Sequence, residues 1–296
     1  MATYVTSDAH GHLRALDAAL TLAGPGAQDT VVVMGDMIDR GPDPVGVMRL
    51  VRSLPGARVL MGNHERMMLG ALLTDDASLQ GGWDINGGWV TAGQLDALPR
   101  AEAADLVDWV AGLPLFDIVS VPDAFSAARG PHASAQIPRR RIYLLAHAGI
   151  DALAARGYLA TAGVPVEEPG ALSGLGVGEL RPMMEAQDAE DLLWIRERFW
   201  GAPTGFVDAR GIGPIVVAGH TPSVLLGSFA QLMGGPVLDG HGRARVVEVG
   251  ACQDTGGVAD RIDIDASAAG GFPHGQVAVM RLEDHRVWYA PIAEGE

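Results

Sequence analysis

Three observations predict an α/β fold for this 296-residue chain. Short β-branched apolar runs recur near its start, helical periodicity separates them, and strand-like runs return at hairpin spacing near its end. Tyr4 to Ser7, Thr30 to Met34 and Ala57 to Met61 are the first strands, each ending at a polar or glycine-bearing turn. Leu13 to Ala23 and Val45 to Leu54 carry apolar residues at helical spacing and stop at Gly24-Pro25 and Pro55-Gly56. The chain through Met61 therefore reads as βαβαβ, with parallel strands and right-handed crossovers.

The character changes after His64. A helix is predicted from Glu65 to Leu73, then a stretch bearing Gly81-Gly82-Trp83 and Gly87-Gly88-Trp89, then a helix from Ala101 to Gly112. Residues 74–141 read as a cap inserted into one globular domain spanning residues 1–296. Ile142 to Ala146 and Ile215 to Ala218 are returning strands of the core, Val164 to Gly178 a surface loop, and Ala189 to Trp200 one helix carrying Arg196. Strands at Arg245 to Val249, Arg261 to Ile264, Val277 to Leu282 and Arg286 to Tyr289 suggest a second, mixed sheet packed on the first.

Composition narrows the function classes. Hydrophobic residues make up 48% of the chain, ample for a buried core. Met1 to Leu20 lacks a basic start followed by an apolar run, and no stretch reaches the ~18 apolar residues of a membrane span. Cys252 is the single cysteine, so no intrachain disulfide forms and a cytoplasmic, membrane-free protein is expected. The formal net charge of −15 repels an extended polyanion and argues against nucleic acid as a partner. Small phosphoesters remain compatible, because two dications outweigh the charges of Asp8 and Asp36 locally.

Four blocks carry the chemistry: Asp8-Ala9-His10-Gly11, Gly35-Asp36-Met37-Ile38-Asp39-Arg40-Gly41, Gly62-Asn63-His64-Glu65 and Gly219-His220-Thr221-Pro222. The first three fall at the carboxyl ends of the predicted parallel strands, where open α/β sheets place their sites. His147 and His220 follow the two returning strands. Two divalent ions roughly 3.5–4 Å apart need a shared carboxylate with oxygen and imidazole ligands, and these blocks supply them. A carboxylate can bridge two ions, whereas an asparagine oxygen or imidazole nitrogen serves one.

On these blocks the chain resembles the calcineurin-like metallophosphoesterases, and among them the bacterial and phage lambda form of the phosphoprotein phosphatases. Asp39-Arg40-Gly41 and Glu65 narrow the match. The resemblance implies an αββα sandwich with a helical cap and a site holding two divalent ions, Mn²⁺ foremost, with Fe or Zn²⁺ as alternatives. Asp8 and His10 would bind the first ion, Asp36 would bridge, and Asn63, His147 and His220 would bind the second. Water activated between the ions would attack phosphorus in line. His64 would donate a proton to the leaving oxygen, with Asp39 orienting it and favouring its charged form. Arg40 and Arg196 would clamp phosphoryl oxygens.

The implied activity is that of a serine/threonine, or dual-specificity, protein phosphatase acting on a phosphoprotein or small phosphoester. Met61 departs from the pattern, since many family phosphatases carry Arg before Gly-Asn-His-Glu; the related diadenosine tetraphosphate hydrolases also lack it. Dinucleoside polyphosphate hydrolysis is therefore the alternative, and a catalytically dead metal-binding regulator a third reading. Several features read as structural. Arg139-Arg140-Arg141 is a solvated charge run before a strand. Trp83 and Trp89 are read as packing residues of the cap, with a place on the rim of the cleft as the alternative. His241, His274 and His285 lie outside any motif, and Asp265 supports the site from behind.

Overall fold

The computed structural model describes residues 1–124 and 140–296. Strands β1 (Thr3–Thr6), β2 (Thr30–Val33) and β3 (Arg58–Val59) pair in parallel. Helices α1 (Leu13–Ala23) and α2 (Pro44–Ser53) form the crossovers. α2 starts where Asp43 accepts from Gly46 N, with proline in its first turn. Strand alternation then sorts the side chains: Tyr4, Val31 and Val33 pack on the buried stripe of α1, whereas Val5 and Val32 point the other way.

What Val5 and Val32 meet is a second sheet. β4 (Phe116–Pro122), β5 (Arg140–Ala146), β6 (Ile215–Ala218), β7 (Val247–Val249) and β8 (Arg261–Asp263) form it in the order β4-β5-β6-β8-β7. Tyr143, Leu145, Val217 and Ile262 pack against the inner face of the first sheet. The outer face, including Leu144, Ala146, Val216 and Ala218, is covered by α7 (Ala152–Thr161), α8 (Val177–Glu185) and the residues around Phe199 and Trp200. Four layers result, helix–sheet–sheet–helix, with both sheets mixed.

The tail strands differ from expectation. β9 (Gln276–Arg281) and β10 (Arg286–Pro291) join the first sheet, β9 running antiparallel to β1 with Met280 opposite Val5. Val277 and Val279 face the α1 layer while Met280 and Leu282 face the second sheet, so β9 suits a covered, interior position. The returning strands β5 and β6, conversely, belong to the second sheet.

The span after β3 contains α3 (Asn63–Leu73), α4 (Ala77–Ile85), α5 (Gly88–Asp96) and α6 (Arg100–Ala111), whose Trp83, Leu95, Leu106 and Val110 enter the helix-side core of the first sheet. β4 then pairs antiparallel with β5. Arg141 is not solvated: it is buried, donating to Asp123 at 3.0 Å, to Gly213 O at 3.0 Å and to Gly211 O at 2.9 Å. Arg140 is exposed, and Arg139 lies outside the described residues. The helix expected from Ala189 to Trp200 is two, α9 (Ala189–Trp194) and α10 (Glu197–Trp200), because Ile195 is extended and Arg196 takes φ −132°, ψ −81°. Among the described residues no helix is long and apolar enough to cross a membrane.

Candidate metal centre and active site

The four blocks converge where the carboxyl ends of both sheets meet. Cross-sheet bonds hold the meeting point: His147 Nδ1 donates to Met34 O at 2.9 Å, and His220 N donates to Asp8 Oδ2 at 3.1 Å. Two glycines permit the approach. A Cβ on Gly35 would lie 2.4 Å from Gly62 N, and one on Gly219 would lie 2.1 Å from Asp8 Oδ2. Nine non-glycine residues have positive φ among the described residues, and six of them are Asp8, His10, Asp36, Asp39, Arg40 and His220. Left-handed backbone is sparsely populated for such side chains, so strain is concentrated at this site.

The side chains converge as donors. His10, Asp36 and His64 bring ligand atoms within 4.8 Å of one another, and so do Asp36, His147 and His220; Asp36 is common to both groups. Asn63 Oδ1 lies 2.8 Å from His147 Nε2 and 2.8 Å from His220 Nδ1. Asp8 Oδ1 is 4.0 Å and Asp36 Oδ2 is 3.5 Å from His10 Nε2.

This arrangement fits divalent ions on its own chemistry. His10 Nδ1 donates to Ile38 O and His147 Nδ1 to Met34 O, which leaves both Nε2 lone pairs facing carboxylate or amide oxygens. Lone pairs opposed across 2.8–3.5 Å are what a shared cation relieves. Burial drives His10 and His220 well below the usual histidine range and His147 below it, so all three are neutral ligands. Burial, then Asp8, then Glu65, pushes the Asp36 carboxyl well above its ordinary range, as expected where positive charge belongs.

Beside the donors, His64 Nδ1 bonds Asp39 Oδ2 at 2.7 Å, and both side chains are buried. Asp39 is itself held: Trp83 Nε1 donates to Oδ2 at 2.8 Å and Thr91 Oγ1 to Oδ1 at 2.6 Å. Arg40 Nη2 donates to His64 Nε2 at 3.0 Å, so that nitrogen is an acceptor. Burial is the largest influence on His64 and lowers its pKa; Asp39 favours the charged imidazole, as expected, but Arg40 adds repulsion and the net shift is downward.

Arg40 also donates to His10 Nε2 at 3.4 Å and to Asn86 O at 3.4 Å. The break between α9 and α10 turns Arg196 inward, where it donates to His220 O at 3.4 Å. Burial lowers its pKa, opposed by Asp265, Asp8 and Asp36. Asp191, on α9, pairs with Arg198.

Three contributors were missed as such. Glu65 is fully buried and accepts from Asp36 N, Met37 N and Gly62 N, each at 2.8 Å, clamping the loop after β2 to the start of α3. Its place in Gly-Asn-His-Glu was the available signal. Trp83 is a donor as well as a packing residue, and Thr91 carried no signal. Asp265 is buried and accepts from Ser267 N, while the outer partners of His10 and His147 are carbonyl oxygens instead.

A family model for calcineurin-like phosphoesterases matches residues 1–249. The chain belongs to that family. It is a metallophosphoesterase, a hydrolase of a family that uses divalent metals. A symmetrical bis(5'-nucleosyl)-tetraphosphatase of Proteus mirabilis is 33% identical over 121 residues, 40% of this chain and 40% of that relative. Serine/threonine-protein phosphatase 1 of Salmonella typhimurium is 40% identical over 77 residues, 26% of this chain and 34% of that protein. The aligned part thus spans well under half of these curated relatives. A crystal structure of a provisionally assigned diadenosine tetraphosphatase shares the fold at TM-score 0.50 and 17% identity, covering 99% of this chain and 94% of its own.

Proposed function

We infer that this metallophosphoesterase hydrolyses dinucleoside polyphosphates, attacking an internal phosphorus. The observation that carries this reading is Met61, which precedes the Gly62-Asn63 block, is buried, and lines a cavity of about 740 Å³. Trp83, Asn86, Trp194 and Arg66 line the same cavity. An internal phosphorus has two non-bridging oxygens where a terminal one has three, so it needs fewer arginine contacts. It also carries a substituent on each side, and a largely apolar cavity whose Trp194 meets the His220 ring edge-on at 5.8 Å suits a nucleoside.

In this reading Asp8, His10 and Asp36 would hold one ion, and Asp36, Asn63, His147 and His220 the other. Bound divalent ions, Mn²⁺ being well matched to this oxygen and nitrogen set, supply Lewis-acid stabilisation and lower the pKa of water. The protein's own groups do the rest. Arg40 exchanges its imidazole acceptors for phosphoryl oxygens, and Arg196 approaches from the opposite element. With Arg40 moved onto the phosphoryl group, His64, oriented by Asp39, can take a proton from solvent on Nε2 and pass it to the leaving oxygen.

Protein phosphatase activity is the second reading, and the His64–Asp39 pair favours it. A serine or threonine alkoxide needs a proton to leave, whereas a nucleoside phosphate leaves as a stable anion. Initial rates of Mn²⁺-loaded protein on diadenosine tetraphosphate and on a phosphothreonine peptide, run in parallel, decide between them. Dominant tetraphosphate cleavage is expected; dominant peptide turnover would overturn the first reading.

A further inference from the structure

Arg40 separates two cavities. Its Nε contacts Asn86 O, which belongs to the chamber under Trp83, while its side chain also lines a second cavity of about 380 Å³. His12, Gly41, Trp89, Gly271 and Glu296 complete the walls of this second space. We propose that it is a second nucleoside subsite, in which the indole of Trp89 stacks on the base of the other half of the substrate. The proposal rests on the dinucleotide reading and extends it to the far arm.

The walls match that occupant. Trp89, on α5, is 68% exposed and lines this cavity together with Arg40, whose guanidinium reaches His10 and His64. Base-on-aromatic stacking tolerates any base and needs little besides a flat apolar platform. The Gly270-Gly271 turn also lines it, and a Cβ on either glycine would meet nothing within 4 Å, which leaves room for a planar ring.

Polar groups sit at the edges. His12 is 4% exposed and lines the cavity, and its Nδ1 has no hydrogen-bond partner among the described residues. The Glu296 carboxylate is fixed by accepting from Ala15 N at 3.1 Å, and a fixed carboxylate suits ribose hydroxyls or an amino edge. Arg40, between the two chambers, faces the polyphosphate that would join the nucleosides. The volume lies within the range of about 300–1,000 Å³ usual for small-molecule sites.

The test uses Trp89→Leu, which keeps apolar bulk but removes the ring, and Trp89→Phe, which keeps a ring. Calorimetric Kd is measured for a diadenosine tetraphosphate analogue bridged by methylene, on Mn²⁺-loaded protein whose melting temperature matches wild type. A rise in Kd of about tenfold is expected for W89L, with W89F within about twofold of wild type. W89L binding as tightly as wild type would overturn the subsite while leaving the dinucleotide reading intact. Wild type that hydrolyses p-nitrophenyl phosphate, yet neither binds the analogue nor cleaves the tetraphosphate, would overturn the reading beneath it.

Discussion

Trp83 Nε1 donates to Asp39 Oδ2 at 2.8 Å, and that same oxygen bonds His64 Nδ1 at 2.7 Å. A residue from α4 thereby sets how strongly the carboxylate attracts the imidazole proton. Replacing Trp83 by Phe keeps most of the ring but removes the donor. Asp39 then becomes the stronger acceptor, the His64 pKa rises, and the proton-transfer geometry loosens. Loss of such an outer partner costs about 10-fold or more in activity. The pH–rate profile should show kcat lower and the limb assigned to His64 displaced upward; an unchanged limb would refute the link.

His64 itself should matter in proportion to how badly the leaving group needs a proton. His64→Ala is expected to slow a phosphothreonine peptide by about 10²–10⁴-fold. An aryl phosphate, whose phenolate departs readily, should slow far less. Equal losses on both substrates would assign His64 to phosphate binding instead.

Why these side chains were legible in the sequence, and others were not, has a physical basis. Asp8, Asp36, Asn63, His147 and His220 follow strands, and strand ends are readable from β-branched runs closed by a glycine turn. Thr91 and Trp83 reach Asp39 across 52 and 44 residues, a pairing no local periodicity encodes. The same limit explains β9. Its apolar pattern marks a strand, but only tertiary packing selects β1 over β8 as its partner. Arg196 shows a third case: Leu192 and Leu193 carry a helical pattern towards it, while the extended Ile195 that turns it inward is a packing outcome.

Asp36 is common to both donor groups, so its substitution should cost more than one ligand. Asp36→Asn keeps the shape and offers one neutral oxygen where two charged ones bridged. Bound Mn²⁺ per chain, measured after gel filtration, should fall from two to one or none, and turnover should vanish. Two retained ions would remove Asp36 from the bridging position.

The raised Asp36 carboxyl also fixes a pH dependence. Burial comes first and Asp8 second in pushing it up, so the metal-free fold holds a proton that the unfolded chain releases above about pH 4. That contribution to stability is present at low pH and is lost as pH rises towards the folded value. A cation replaces the proton, so stabilisation by added Mn²⁺ should grow with pH. Melting temperatures with Mn²⁺ and with chelator should diverge between about pH 5 and 8, and a constant difference would contradict the assignment.

Away from the site, a turn of the first sheet bonds to the second. His285, in the turn between β9 and β10, bonds Tyr143 Oη through Nε2 at 2.7 Å and Glu248 Oε1 through Nδ1 at 2.7 Å. Tyr143 lies on β5 and Glu248 on β7, so a turn of the first sheet is pinned to two strands of the second. Tyr143 Oη also donates to Leu282 O at 2.9 Å. The left-handed φ of 56° at His285 is strain that these bonds offset. His285→Ala should lower stability by about 1–3 kcal/mol, because two buried or half-buried partners lose a bond. His285→Gly, which relieves the backbone but not the lost bonds, should recover part of it. Chemical denaturation of the three proteins measures both steps, and an alanine variant as stable as wild type would show that the sheets are held by their apolar interface alone.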